Sequence, residues 1–185
     1  MRITNEKNDI EYVLFSEETI RARVAELGKQ LTEMYKDSEP IMVCILKGAS
    51  IFYTDLCRQM KTQIHMDFMV VSSYGNETQS SGAVRLIKDL DNTIIDRDVV
   101  IVEDIIDSGL TLKYLKEILL SRKPRSVRTV CLLDKYECHP SEIGCDISGF
   151  SINNAFVVGY GLDYADYYRN LPYIGVLKKE VYSEE

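Results

Sequence analysis

Six apolar residues in unbroken succession, Ile41-Met42-Val43-Cys44-Ile45-Leu46, follow Pro40 and constrain the fold more than any other stretch. Such a run, with no polar alternation, fits a strand covered on both faces. Lys47-Gly48-Ala49-Ser50 closes it, and Phe52, Leu56 and Met60 then recur at helical spacing. The same order returns along the chain. Residues 64–71 read as a second strand, and 99–102 as a third, followed by a loop and by Leu112, Leu115, Ile118 and Leu119 at helical spacing. Residues 127–133 read as a fourth strand and Phe156-Val157-Val158 as a fifth. Ahead of them all, Ser16 is placed to cap a helix. Glu17 and Glu18 suit its positive end, Phe15 can staple onto Ile20, and Ile20, Val24, Leu27, Leu31 and Met34 make one stripe. Strands alternating with helices predict an α/β fold, a mainly parallel sheet flanked by helices. No internal repeat, low-complexity segment or Pro/Gly-rich linker interrupts residues 1–185, which read as a single domain.

Charge and cysteine usage narrow the function. Lys and Arg number 22 against 29 Asp and Glu, a net charge of −7. Sequence-independent nucleic-acid binding runs on phosphate neutralisation, so a nucleic-acid partner is not expected. A small polyanion remains possible where a metal ion or oriented amides supply local positive potential. No apolar run approaches a membrane span, and Met1-Arg2-Ile3-Thr4-Asn5 holds no apolar signal region, so neither membrane nor export is expected. Five cysteines, an odd number with no Cys-x-x-Cys, fit a reduced, cytoplasmic setting. Cys138, His139 and Cys145 lack a fourth partner and any usual zinc spacing.

In parallel sheets ligands gather at the carboxyl ends of strands. The informative segment there is Val99-Val100-Ile101-Val102-Glu103-Asp104-Ile105-Ile106-Asp107-Ser108-Gly109-Leu110-Thr111. A buried strand delivers two adjacent carboxylates, a third follows, and Ser108, Gly109 and Thr111 lead into a helix. Gly109 lets the backbone curl, the helix N-terminus adds partial positive charge, and the hydroxyls supplement the amides. That makes a phosphate cradle, although neither Gly-x-x-x-x-Gly-Lys nor Gly-x-Gly-x-x-Gly is present. The carboxylates suit sugar hydroxyls or a divalent metal carried by the substrate. Read alone, the loop fits a phosphosugar site and an acidic strand end with a capped helix equally well.

The segment closely resembles the phosphoribosyl pyrophosphate (PRPP) motif of the type I phosphoribosyltransferases, a hydrophobic strand followed by Glu-Asp-x-x-Asp-Thr/Ser-Gly-x-Thr. Further blocks resemble the hypoxanthine-guanine branch of that family: Leu46-Lys47-Gly48, Ser72-Ser73-Tyr74-Gly75, Lys88-Asp89-Leu90-Asp91, Leu133-Asp134-Lys135, the run from Phe156 through Tyr164, and Tyr168-Arg169-Asn170-Leu171-Pro172. They span about residues 40 to 178 in the family's order.

The resemblance implies the type I fold with a small hood formed by the N- and C-terminal segments. It also implies purine-salvage transfer of phosphoribose from Mg²⁺–PRPP to hypoxanthine or guanine by a homodimer or homotetramer. Residue by residue, it implies that Glu103 and Asp104 hold the ribose hydroxyls and place Mg²⁺, and that Asp107 handles the purine imidazole proton. Ser108, Gly109, Leu110 and Thr111 would bind the 5′-phosphate, and Lys47, Gly48 and Arg169 the pyrophosphate, Lys47 and Gly48 beside a non-proline cis peptide. Lys135, Phe156, Val157 and Asp163 match the purine pocket, with Asp163 also at a second metal position. Residues 72–82 would form a lid bringing Ser73 and Tyr74 to the pyrophosphate.

An ammonium only donates hydrogen bonds, so Lys135 suits a 6-oxo group and rejects the amino group of adenine. The chain departs from the family at Ser108, where threonine is common, at Ala49, and in Tyr136-Glu137-Cys138-His139-Pro140, which lacks an arginine found in some relatives. A xanthine-directed transferase and a PRPP-responsive regulatory protein on the same fold are the alternatives.

Overall fold

Strand β2 (Ile41–Leu46) lies inside a six-stranded sheet, paired in parallel with β3 (His65–Ser73) on one side and β5 (Asp98–Ile106) on the other. Five of its six residues are buried, as a strand with both faces covered requires. The computed structural model describes residues 6–73 and 84–183. The sheet order is β4-β3-β2-β5-β6-β7, where β4 is Val84–Lys88, β6 is Ser126–Asp134 and β7 is Ile147–Ser151. Every pairing is parallel except that of edge strand β4 with β3.

Helices cover both faces. Helix α1 (Glu6–Asp9) is a single turn. Helix α2 (Glu17–Met34) starts at Ser16, whose Oγ accepts the Thr19 N–H at 3.3 Å, and buries Ile20, Val24, Leu27 and Leu31. Met34 is 40% exposed because Tyr35, four residues after Leu31 and 4% exposed, takes the next place in the buried stripe. Phe15 stacks on Phe150 with ring centroids 4.0 Å apart. Helix α3 (Ser50–Gln59) packs against α2 and buries Phe52, Tyr53 and Leu56. Helix α4 (Leu110–Ser121) covers the opposite face through Leu112, Leu115 and Leu119. Arg23 of α2 donates from Nε and Nη2 to the Gly149 and Ser148 carbonyls at 2.8 and 3.0 Å, which blocks the open edge at β7.

Phe156-Val157-Val158 is not a member of the parallel sheet. Strand β8 (Val157–Val158) joins β9 (Ile174–Leu177) and β1 (Ile10–Phe15) in a separate antiparallel sheet ordered β1-β9-β8. This is the hood, and both ends of the chain build it. The outer position of the main sheet belongs instead to β7, whose Ile-Ser-Gly-Phe-Ser composition carries no apolar run. A short helix, α5 (Lys179–Tyr182), follows the hood.

Because β2, β5 and β6 are parallel, Leu46, Ile106 and Asp134 all end at one edge of the sheet. The loops carrying Lys47-Gly48, Asp107-Ser108-Gly109 and Lys135 therefore converge, and the hood closes over them.

Candidate active site

The acidic pair sits at the end of β5. Glu103 is buried opposite Cys131 of β6, and Asp104 is half-buried, with Oδ1 accepting the Ile105 N–H at 2.8 Å. Burial pushes the Glu103 carboxyl well above the usual carboxylate range and Asp104 up to about 6. Among the described residues no cationic side chain forms an ion pair with either. The peptide Leu46–Lys47 is cis, and a Cβ on Gly48 would overlap the Asp104 carboxylate, so only glycine lets this loop lie against β5.

Asp107 leaves the strand 59% exposed, and Lys135, 10% exposed, reaches it from β6's end at 3.1 Å. The same ammonium donates to Asn154 Oδ1 at 3.5 Å. Ser108 and Gly109 then turn the chain into α4. Gly109 sits at φ +73 as the N-cap, contributing no side-chain acceptor to the helix's first N–H groups. A cavity of about 110 Å³ opens there, walled by Asp107, Ser108, Gly109 and Thr111 with Glu103 and Leu112 behind. Thr111 belongs to the first turn of α4 and Leu110, 47% exposed, to its solvent side.

The second wall comes from residues 159–173. Four non-glycine residues there, Tyr160, Ala165, Asp166 and Tyr168, hold positive φ, the kind of backbone that concentrates at functional sites. Arg169 donates to the Gly161 carbonyl at 2.8 Å and pairs with Asp163 at 2.7 Å and Asp166 at 3.0 Å. Its Nε is buried without an acceptor. Asp166 also holds Lys47 at 3.1 Å. Lys47 and Arg169 thus share a carboxylate that sequence reading did not single out. Asp163 stands in this group, where its charge helps raise Asp104.

Phe156 precedes β8. Tyr182 of α5 stacks on its ring at 4.6 Å and 18°, and Tyr164 meets it edge-on at 5.6 Å. Leu177 N–H donates to the Phe156 carbonyl at 2.9 Å, which makes Val157 and Val176 a non-hydrogen-bonded pair. The Val157 N–H and carbonyl therefore point away from β9, off the sheet edge. Ser73 ends β3, and the rest of the expected 72–82 lid, Tyr74 through residue 82, lies outside the described residues.

The phosphoribosyl transferase domain family matches residues 14–165. The chain belongs to the phosphoribosyltransferase family. This phosphoribosyltransferase is 56% identical over 176 residues to the hypoxanthine-guanine phosphoribosyltransferase of Bacillus subtilis, covering 95% of this chain and 98% of the relative. A bifunctional protein of Listeria monocytogenes matches at 54% identity over 96% of this chain, which spans 27% of that longer protein. A crystal structure of a hypoxanthine phosphoribosyltransferase from Staphylococcus aureus superposes with a TM-score of 0.93 at 47% identity, covering all of both chains. The fold is that of the type I enzymes, and no described helix is long and apolar enough to cross a membrane.

Proposed function

We propose that this phosphoribosyltransferase transfers the phosphoribosyl group of Mg²⁺–PRPP to hypoxanthine or guanine, forming the nucleoside monophosphate and releasing pyrophosphate. The observation that carries the reading is the Lys135–Asp107 pair at 3.1 Å beside the phosphate cradle. A group that reads a 6-oxo oxygen and a group that takes an imidazole proton stand side by side. The names of the relatives in Bacillus subtilis and Staphylococcus aureus agree with this reading.

In the reaction a purine ring nitrogen attacks the anomeric carbon, the bond from that carbon to pyrophosphate breaks, and the imidazole proton passes to Asp107. Positioned proton transfer contributes roughly 10²–10⁴-fold. Lys135 donates to the 6-oxo group, Val157 offers its N–H and carbonyl to the base edge, and Phe156 covers the ring. The cradle from Ser108 through Thr111 holds the 5′-phosphate with backbone amides and hydroxyls. Lys47, the Gly48 amide and Arg169 bind the pyrophosphate, and the family resemblance adds Ser73 and Tyr74 to them. Glu103 and Asp104 fit ribose hydroxyls and a divalent ion, since both are poorly solvated carboxylates, one buried and one half-buried, without a cationic side chain paired to them among the described residues. Asp163 serves a second ion. When bound, Mg²⁺ neutralises charge growing on the leaving group.

Incubation with Mg²⁺, PRPP and each of hypoxanthine, guanine, xanthine and adenine tests the substrate class. Nucleotide should form with the first two; product from adenine alone would reject the reading. Asp107→Asn should lower kcat by about 10²-fold or more while PRPP affinity changes little. Lys135→Ala should narrow the preference over adenine, because each unpaired buried polar group costs about 1–3 kcal/mol. Residues 1–185 are taken as one domain, working as two or four copies in a reducing interior, and light scattering in solution checks the copy number.

A further inference from the structure

Behind the phosphate cradle lies a sulfur pair that the transfer chemistry does not use. Cys131 is fully buried on β6, and Cys145 is half-buried just ahead of β7. Both are free thiols, and their Sγ atoms lie 2.7 Å apart. An Asp134 carboxylate oxygen is within 4.8 Å of both sulfurs. Asp134 Oδ1 also contacts His139 Nε2 at 2.7 Å, and His139 Nδ1 lies 3.1 Å from the Pro140 carbonyl. Both ring nitrogens thus face acceptors, which favours the imidazolium form; the Asp134 contact, then the Pro140 carbonyl, raises the His139 pKa. The less buried sulfur, Cys145, thus lies against the fully buried Cys131, the arrangement of an attacking and a resolving thiol.

We propose that Cys131 and Cys145 form a reversible oxidation site that a hydroperoxide converts to an intramolecular disulfide. The Cys145 thiolate attacks one peroxide oxygen. An S–O bond forms, the O–O bond breaks, and the departing hydroxide takes up a proton and leaves as water. Cys145 is now a sulfenic acid. The Cys131 sulfur attacks it, the S–S bond forms, the S–O bond breaks, and the hydroxyl leaves as water with the Cys131 proton. Two electrons have passed from the two sulfurs to hydrogen peroxide, giving one disulfide and two waters.

The cross-link closes the chain between 131 and 145 around His139 and Ile143. Ile143 occupies the space where a Cβ on Gly109 would lie, and His139 Cβ would be in ordinary contact with it at 3.6 Å. Oxidation therefore fastens the segment that backs the cradle. Closing a loop of this length stabilises a domain of this size enough to raise Tm by about 5–10 °C.

The test uses the full chain, reduced and then exposed to hydrogen peroxide, quenched with a maleimide and digested. Free thiols should fall from five by two, with one linked peptide pair containing Cys131 and Cys145, a higher Tm, and full reversal by dithiothreitol. Cys145→Ser should retain its remaining thiols. Cys131→Ser should stop at a sulfenic acid on Cys145 that dimedone captures, which keeps the order of attack testable if either variant is less stable. Retention of all five thiols, or a disulfide through Cys57 or Cys138 instead, would overturn the proposal.

Discussion

At Asp104 the ligand-free fold solvates a carboxylate poorly: burial raises it to about 6 from an ordinary 3.8. Above both values the folded chain holds a charge that the unfolded chain solvates better, and below both values each state is protonated and the difference vanishes. Stability of the ligand-free protein should therefore fall as pH rises from about 4 to 6. Asp104→Asn has no such proton to lose. It should melt above the parent at pH 7.5, the two converging towards about pH 4, while losing most of the Tm gain that Mg²⁺–PRPP gives the parent. Scanning calorimetry across pH checks both parts. The three carboxylates of this loop were legible in the sequence because consecutive positions on one strand and its turn carry them. Asp166 and Asn154 were not: each meets its partner, Lys47 or Lys135, only through contacts between distant segments, 119 and 19 residues apart.

Among the elements, those with two buried faces announced themselves. Strands β2 and β5 are apolar throughout their centres because helices cover them on either side. The hood strands lack that signature. In β1, Tyr12 and Val13 are each 51% exposed, and the register with β9 shifts twice, so no clean alternation survives in the sequence. Strand β8 is two residues long and draws its identity from pairing with β9. Helix α5 gave no periodic signal either, yet its Tyr182 covers one face of Phe156. Tyr182→Ala should free that ring, since stacked aromatic pairs contribute about 0.5–1.5 kcal/mol beyond buried area. A rise of about 3–10-fold in KM for hypoxanthine, with KM for PRPP nearly unchanged, is the expected steady-state result. Equal rises for both substrates would remove α5 from base positioning.

For the molecule as a whole, the proposed reaction draws its phosphosugar side from the parallel sheet and its base side from the hood. Tyr160 ties them, its hydroxyl donating to Asp55 of α3 at 2.6 Å. Tyr160→Phe should keep the fold and lower Tm by about 2–4 °C, the usual worth of one side-chain hydrogen bond in a domain this large. A thermal melt unchanged from the parent would place the coupling elsewhere. The pairing of β1 with β9 joins Ile10 to Leu177, and that separation has a consequence for biosynthesis. At ribosomal rates of about 5–20 residues per second, strand β1 waits roughly 8–30 s for its neighbour to emerge. Only in the last part of that interval, after β5, α4 and β6 have been made, does the nascent chain carry the proposed sugar-phosphate half of the site, and it has nowhere to seat an acceptor until the two distant segments meet.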